Sequence, residues 1–347
     1  MTLHATTLAE EEKVQADLVA IAQRLQDCST VGIFTHARPD PDAIGSQLAC
    51  ARALHSLGIR PTLIDITPVP PTLEFLYAGA EPISRISLGV AAAGKAPALP
   101  NFDGILLVDT HSVSQLEGAR DYILQRRATT LVIDHHRTGD NIASVMACDT
   151  SAAACVELIA DLLTPLNVPL SHAIAEPLYA GLVGDTGWFR FDSVTPRTHA
   201  LARQLLATGV EPAAMYRQLA QQESPAKLRL MAAALASLQY LGQQQIAVMT
   251  LSKSDFIQAS AESWQTDGLV DWPMSVGTVE VVALLSETDD GRTRVNLRSK
   301  TRVDVSAICA HFGGGGHARA AGCRITGSPA MAAAQLTPEL LKAVKAP

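Results

Sequence analysis

Short apolar runs recur along this chain, and four of them end in acids or histidines. Leu131-Val132-Ile133 leads into Asp134-His135-His136, and Val31-Gly32-Ile33-Phe34-Thr35 leads into His36, with Asp40 and Asp42 close behind. Ile105-Leu106-Leu107-Val108 ends in Asp109, and the segment from Pro177 to Gly184 ends in Asp185. Such runs read as strands buried on both faces of a parallel sheet. Between them the spacing turns helical. Val14, Leu18, Ile21, Ala22 and Leu25 mark an amphipathic helix over 9–26, and Ile44, Leu48, Ala51 and Leu54 mark the buried stripe of a second. Strands are expected at 61–66, 104–109 and 129–134, helices near 114–125 and at 151–163, and a surface loop at 88–100. This β-α-β rhythm predicts a parallel sheet with flanking helices.

Residues 195–240 keep a helical pattern. After them come expected strands at 245–250 and 278–285 and an Asp290-Gly291 hairpin signal. In the strand predicted at 292–302, the even positions are Arg292, Arg294, Asn296, Arg298, Lys300 and Arg302. Side chains alternate faces along a strand, so one face is a cationic stripe. A helix is expected at 304–312, before the run Gly313-Gly314-Gly315-Gly316-His317. The fold class is therefore α/β in two parts: a parallel-sheet domain over 1–190, a helical connector over 191–225, and a smaller α/β domain with a mixed sheet over 226–347.

An acid at the end of one strand is ordinarily a turn former or a helix cap. Five Asp and three His at comparable element ends are not explained that way. Ligands of open α/β sheets bind beyond the carboxyl ends of the strands, and mixed carboxylate and imidazole donors suit Mn²⁺. Six candidate ligands exceed the four of a structural zinc site and suit two ions sharing a carboxylate. Gly45 and Ser46 fit either a ligand approaching the backbone or close helix packing. Glu157 and Asp161 read as solvated acids, and Trp188 and Phe189 as core or interface residues. Four consecutive glycines between a helix and an apolar segment read as a backbone nest for a phosphate or a base.

In this order and at these separations, five motifs resemble those of the DHH phosphoesterases. They are His36-Ala37-Arg38-Pro39-Asp40-Pro41-Asp42-Ala43-Ile44-Gly45-Ser46, Val108-Asp109, Asp134-His135-His136, Gly184-Asp185-Thr186, and the glycine-histidine run, which resembles a DHHA1 domain. The two-part architecture is most similar to the nanoRNase/pAp-phosphatase group. The resemblance implies that His36, Asp40 and Asp109 hold one metal and that Asp42, Asp109, His135 and Asp185 hold the other, with Asp109 bridging. It implies two divalent ions, Mn²⁺ in preference to Mg²⁺ or Co²⁺, that activate a water for attack on phosphorus. It also implies that His136 would help position or polarise the phosphoryl group and that Asp134 would support a histidine. By the same resemblance, Arg298, Ser299, Gly314, Gly315, Gly316 and His317 would bind substrate, and a cleft between the domains would limit its length. Proline at 41 stands where the family often has a small residue.

The function implied is hydrolysis of short oligoribonucleotides or dinucleotides, and of 3′-phosphoadenosine 5′-phosphate (pAp) to AMP. Rival readings are a phosphodiesterase for a signalling dinucleotide such as cyclic di-AMP, a RecJ-type single-strand exonuclease, a family II pyrophosphatase, and a non-catalytic nucleotide-binding module. Composition narrows the field. A formal charge of −7 argues against general duplex DNA binding. No apolar run approaches a membrane span, and the acidic opening does not read as a signal peptide. Cys28, Cys50, Cys148, Cys155, Cys309 and Cys323 show no paired spacing, which suits free thiols in the cytoplasm. A homodimer is one arrangement the sequence leaves open.

Overall fold

The computed structural model describes residues 2–78, 83–89 and 98–345. The chain divides into two units, Met1–Gln222 and Glu223–Pro347. Among the described residues, six strands form the sheet of the first unit: β1 (Thr30–Phe34), β2 (Arg60–Asp65), β3 (Ser84–Ser87), β4 (Gly104–Val108), β5 (Thr130–Asp134) and β6 (Val145–Cys148). All of their pairings are parallel, in the order β3-β2-β1-β4-β5-β6. β4 and β5 are buried at every position. Their alternate side chains feed two cores: Leu106, Val108, Leu131 and Ile133 on one face, Ile105, Leu107 and Val132 on the other. The strand order reverses between β1 and β4, and the crevice at such a switch point is where open α/β sheets bind ligands. His36 lies two residues beyond β1, and Asp109 directly follows β4.

Among the described residues of this unit are seven α-helices: α1 (Thr2–Gln26), α2 (Pro41–Ser56), α3 (Arg120–Leu124), α4 (Cys155–Leu166), α5 (His172–Asp185), α6 (Pro196–Ala207) and α7 (Pro212–Ala220). The segment that ends in Asp185 is therefore not strand-like but the end of α5. An eight-residue apolar run cannot be told from a buried helix by periodicity, and this helix is apolar nearly all round because it packs on α2, α4 and α6. The helix expected near 114–125 is broken into two short 3₁₀ turns and α3, with Glu117 at φ 35° where the path bends. Of the expected loop at 88–100, residues 90–97 lie outside the described residues. Glu157 is buried rather than solvated, its carboxylate accepting from the Ala153 amide, with Arg197 Nε 3.7 Å away. α6 and α7 pack within this unit. His199 of α6 stacks on Phe189, and Tyr216 of α7 meets the edge of Trp188.

The second unit carries β7 (Gln239–Leu241), β8 (Ile246–Leu251), β9 (Val281–Glu287), β10 (Arg292–Ser299), β11 (Gly315–His317) and β12 (Ala320–Thr326). They form one sheet ordered β11-β12-β10-β9-β8-β7. Only β8 and β9 run parallel, so the sheet is mixed, as the fold class required. Its helices are α8 (Pro225–Ala236), α9 (Lys253–Ala259), α10 (Asp271–Met274), α11 (Val305–His311) and α12 (Pro329–Lys345). α11 and α12 contribute to the core on the face bearing Val295 and Leu297. Leu230 and Ala234 of α8 lie in the core on the opposite face, with Val282 and Leu284. β10 alternates strictly, with Thr293, Val295, Leu297 and Ser299 buried and Arg292, Arg294 and Arg298 exposed. It stops at Ser299, so Lys300 and Arg302 do not extend the cationic face. Among the described residues, no helix is long and apolar enough to cross a membrane.

Candidate active site

Local chemistry sets the first ligand segment. The Asp40 carboxylate accepts the amides of Asp42 and Ala43, each at 3.0 Å, and so caps α2. Pro41 then takes the first helical position, where its fixed φ suits the helix and no amide is missed. Asp42 is wholly buried. Its carboxylate crosses to α4 and accepts from Cys155 N at 2.6 Å and Val156 N at 3.0 Å. The N-cap residue of α4, Ala154, has no side chain for this task, so a carboxylate from a neighbouring helix satisfies the orphan amides and meets the positive helix end.

Three glycines let this happen. A Cβ on Gly45 would lie 2.3 Å from the Pro177 carbonyl oxygen, which settles Gly45 as a close-packing residue rather than a ligand approach. A Cβ on Gly181 would lie 2.9 Å from Asp42 Oδ1, and one on Gly184 would lie 2.9 Å from Pro41 Cβ. The absent side chains bring α2 and α5 together, and with them Asp42 and Asp185.

The six predicted ligands converge. His36 Nε2 lies 3.3 Å from Asp109 Oδ2 and 3.9 Å from Asp40 Oδ2. His135 Nε2 lies 3.3 Å from Asp185 Oδ2, 3.5 Å from Asp109 Oδ1 and 3.8 Å from Asp42 Oδ2. His36 with Asp40 and Asp109, and Asp42 with His135 and Asp185, are two of three groups, among the described residues, whose donor atoms could each hold a metal ion; the third joins His136 to Asp109 and His135. Both imidazoles are oriented from behind: His36 Nδ1 is 3.0 Å from the Ala37 carbonyl and His135 Nδ1 is 3.3 Å from the Ala152 carbonyl. That leaves each Nε2 for the centre. Asp109 is held at φ 60°, the left-handed region that few residues besides glycine, asparagine and aspartate tolerate.

Asp134 and His136 stand beside this cluster. Asp134 Oδ1 accepts the amides of His135 at 2.7 Å and His136 at 3.1 Å, and pairs with His136 Nδ1 at 2.7 Å. Its Oδ2 pairs with His111 Nδ1. Burial alone would raise Asp134, but the hydrogen bonds of His111 and His136 hold it well below the usual carboxylate range. The sequence reading missed His111. The signal was its place two residues beyond Asp109, at the same sheet rim.

The donors fit a divalent cation. Asp109 Oδ1 and His135 Nε2 are buried with no hydrogen-bond partner among the described residues, a costly condition unless something binds them. Burial, reinforced by the charges of Asp109 and Asp185, pushes Asp42 well above the carboxylate range, and Asp40 is raised by the same causes. Burial works to lower His36 and His135, but the carboxylates around them prevail, Asp109 foremost, and raise them to about 9 and about 11.

The sign of the pH dependence follows. The metal-free chain gains stability from these two imidazolium groups, in full below the ordinary value of 6.5, and loses it as pH rises through about 9 and then about 11. A cation must displace both protons. Metal loading at neutral pH should release about two protons, and affinity should fall as pH drops. Calorimetric titration of Mn²⁺ in buffers of different ionisation enthalpy measures this, and loading with no proton release contradicts the ligand assignment.

In the second unit, Arg298 of β10 and His317 of β11 flank Ala320 of β12 in one row on one face of the sheet. Arg298 and Ala320, but not His317, line a groove of ≈ 850 Å³ together with Arg294, Asn296, Gly314, Gly315, Gly322 and Arg324. Ser299 is not brought to this face. It is buried on the other side, its hydroxyl donating to the Val303 carbonyl at 2.6 Å. The glycine run is not an open nest throughout. Gly315–His317 is strand β11, and a Cβ on Gly314 would lie 2.3 Å from the Gly322 carbonyl oxygen, so packing on β12 alone demands that glycine. Gly315 has open space around it.

Residues 30–182 match the DHH family, N-terminal domain, and residues 243–346 match the DHHA1 domain. The chain is 30% identical over 298 residues to the bifunctional oligoribonuclease and PAP phosphatase NrnA of Thermus thermophilus, covering 85% of this chain and 84% of that one. It is 28% identical over 304 residues to the probable bifunctional oligoribonuclease and PAP phosphatase NrnA of Streptococcus mutans, covering 87% and 91%. The crystal structure of an exopolyphosphatase-related protein from Bacteroides fragilis shares the fold, with a TM-score of 0.80 over 94% of this chain and 96% of that one, at 22% identity. Both domain matches fall in the order the five motifs implied, one bearing the carboxylate-imidazole cluster except Asp185, which lies just past its end, and the other the cationic face, and this chain belongs to the DHH/DHHA1 phosphoesterase family.

Proposed function

We propose that this chain hydrolyses short oligoribonucleotides to mononucleotides and pAp to AMP, with two divalent ions, Mn²⁺ by preference. One observation carries the reading: two separate three-donor groups meet where Asp109 Oδ1 faces His135 Nε2 at 3.5 Å. Ions bound there would supply Lewis-acid stabilisation of a phosphoryl group and acidify a water. His36, Asp40 and Asp109 would hold one and Asp42, Asp109, His135 and Asp185 the other. Asp134 fixes His136 through Nδ1, and the half-exposed ring has its other nitrogen left for a phosphoryl oxygen. The names of the relatives support the substrate class. Six free cysteines support a reducing, cytoplasmic compartment.

The test is to incubate the metal-loaded chain with pAp, pApA, RNAs of increasing length, cyclic di-AMP and pyrophosphate, and to resolve the products. Turnover of pAp and of the shortest RNAs supports the reading, and turnover confined to cyclic di-AMP or pyrophosphate refutes it. Arg298 probes the second unit. Arg298→Ala should leave metal binding intact and lower kcat/KM on pAp by about 10- to 100-fold, the loss of a charge-assisted phosphate contact of roughly 1.5–3 kcal/mol. Hydrolysis of bis(p-nitrophenyl) phosphate, which has no second phosphate, should barely change. Equal losses on both substrates would place Arg298 in folding rather than recognition.

A further inference from the structure

Arg294 and Arg324 face each other directly across β10 and β12, on the groove face of the sheet. Both are exposed, and among the described residues neither forms an ion pair. The nearby Asp290 is taken by Arg292 at 2.5 Å, and Asp267, which also lines the groove, pairs with neither arginine. Like charges directly opposite on a sheet are destabilising. A fold that keeps two unpartnered guanidinium groups together in a concave wall is arranged for an anion to sit between them.

The position along the strand separates this pair from the other cationic row. Arg298 lies four residues further along β10, roughly 14 Å away at ~3.4 Å per residue. Between the rows stand Asn296 and, opposite it, Gly322, which leaves the groove floor bare. One phosphate cannot sit in both rows, whereas two phosphates of one extended strand, separated by an intervening phosphate, can.

We propose that Arg294 and Arg324 form a second phosphate subsite, which engages oligoribonucleotides carrying three or more phosphates. This rests on the substrate class proposed above. pAp and pApA, with two phosphates each, do not reach it, so the subsite raises the preference for RNA trimers and longer chains over dinucleotides. Arg324 escaped the sequence reading because the segment Ala320–Thr326 is rich in small residues and does not announce itself as a strand.

The decisive comparison uses the full chain, stripped of metal by excess EDTA so that nothing is cleaved. Binding of a labelled RNA pentamer is followed by fluorescence anisotropy across a salt series. Arg324→Ala and Arg324→Gln should each weaken pentamer binding about tenfold and flatten the slope of log Kd against log salt by roughly 0.7. Arg324→Lys should retain most of the affinity. With metal restored, kcat/KM on pAp should stay within about twofold of wild type, since no pAp phosphate meets this pair. The melting temperature of the unliganded variants at low salt should not fall, because a repulsion is removed. Equal losses on pentamer and pAp, or no loss on the pentamer, overturn the subsite. If the wild-type chain hydrolyses neither pAp nor RNA, the functional reading fails, while the pentamer binding still decides the subsite on its own.

Discussion

Asp109→Asn is expected to yield a folded protein that hydrolyses neither pAp nor short RNA at a useful rate and holds divalent metal poorly. The side chain lies between His36 and His135, at 3.3 and 3.5 Å, and among the described residues is the one carboxylate that faces both imidazoles. Burial opposes its ionisation, yet the two histidines keep it below the usual carboxylate range, so it is the negative centre of the site. An amide of the same shape offers one neutral oxygen instead of two charged ones. Losing several kcal/mol of transition-state stabilisation lowers the rate by about 10³-fold or more, at 1.36 kcal/mol per decade. Metal content, titration calorimetry and initial rates check the outcome. Wild-type turnover with full metal content in this variant would sink the bridging assignment.

Gly45→Ala is expected to cost nearly as much without removing any ligand. The added methyl would lie 2.3 Å from the Pro177 carbonyl oxygen and 3.2 Å from the Gly181 amide nitrogen, both backbone atoms that cannot swing aside. Overpacking of this kind costs about 1–3 kcal/mol or more, and for a domain of this size each kcal/mol lowers Tm by about 2–4 °C. α2 and α5 must part, and Asp42 and Asp185 ride on those two helices. Metal affinity should therefore fall together with Tm, and kcat/KM should drop on every substrate alike. A variant that melts and turns over as wild type does would show that the helices have slack the structure does not reveal.

The chemistry of this chain was legible because it is local. Asp134, His135 and His136 follow an apolar run with nothing between, and so does Asp109. A strand buried on both faces must be a continuous apolar run, and its end must be where polar groups begin. The alternation of β10 was equally plain, since period two assigns Arg294 and Arg298 to one face whatever covers the other. The DHH and DHHA1 matches and the mixed second sheet agree with that reading.

What the tertiary structure alone decided is what depends on neighbours distant in sequence. The order β3-β2-β1-β4-β5-β6 sets β1 beside β4 and so brings His36 to Asp109, although 72 residues separate them. No pattern along the chain reports which strands pair, because hydrogen bonding between parallel strands is indifferent to side-chain identity. Gly45 was undecided until α5 lay against it, and Glu157 looked solvated until its helix was packed. His111 gained a role only when β4 and β5 stood side by side and offered it Asp134. Arg324 acquired its meaning from the residue opposite, Arg294, thirty positions earlier. Local sequence specifies which groups a strand end can present, and packing decides which of them meet, since burial and pairing are properties of the assembled layers.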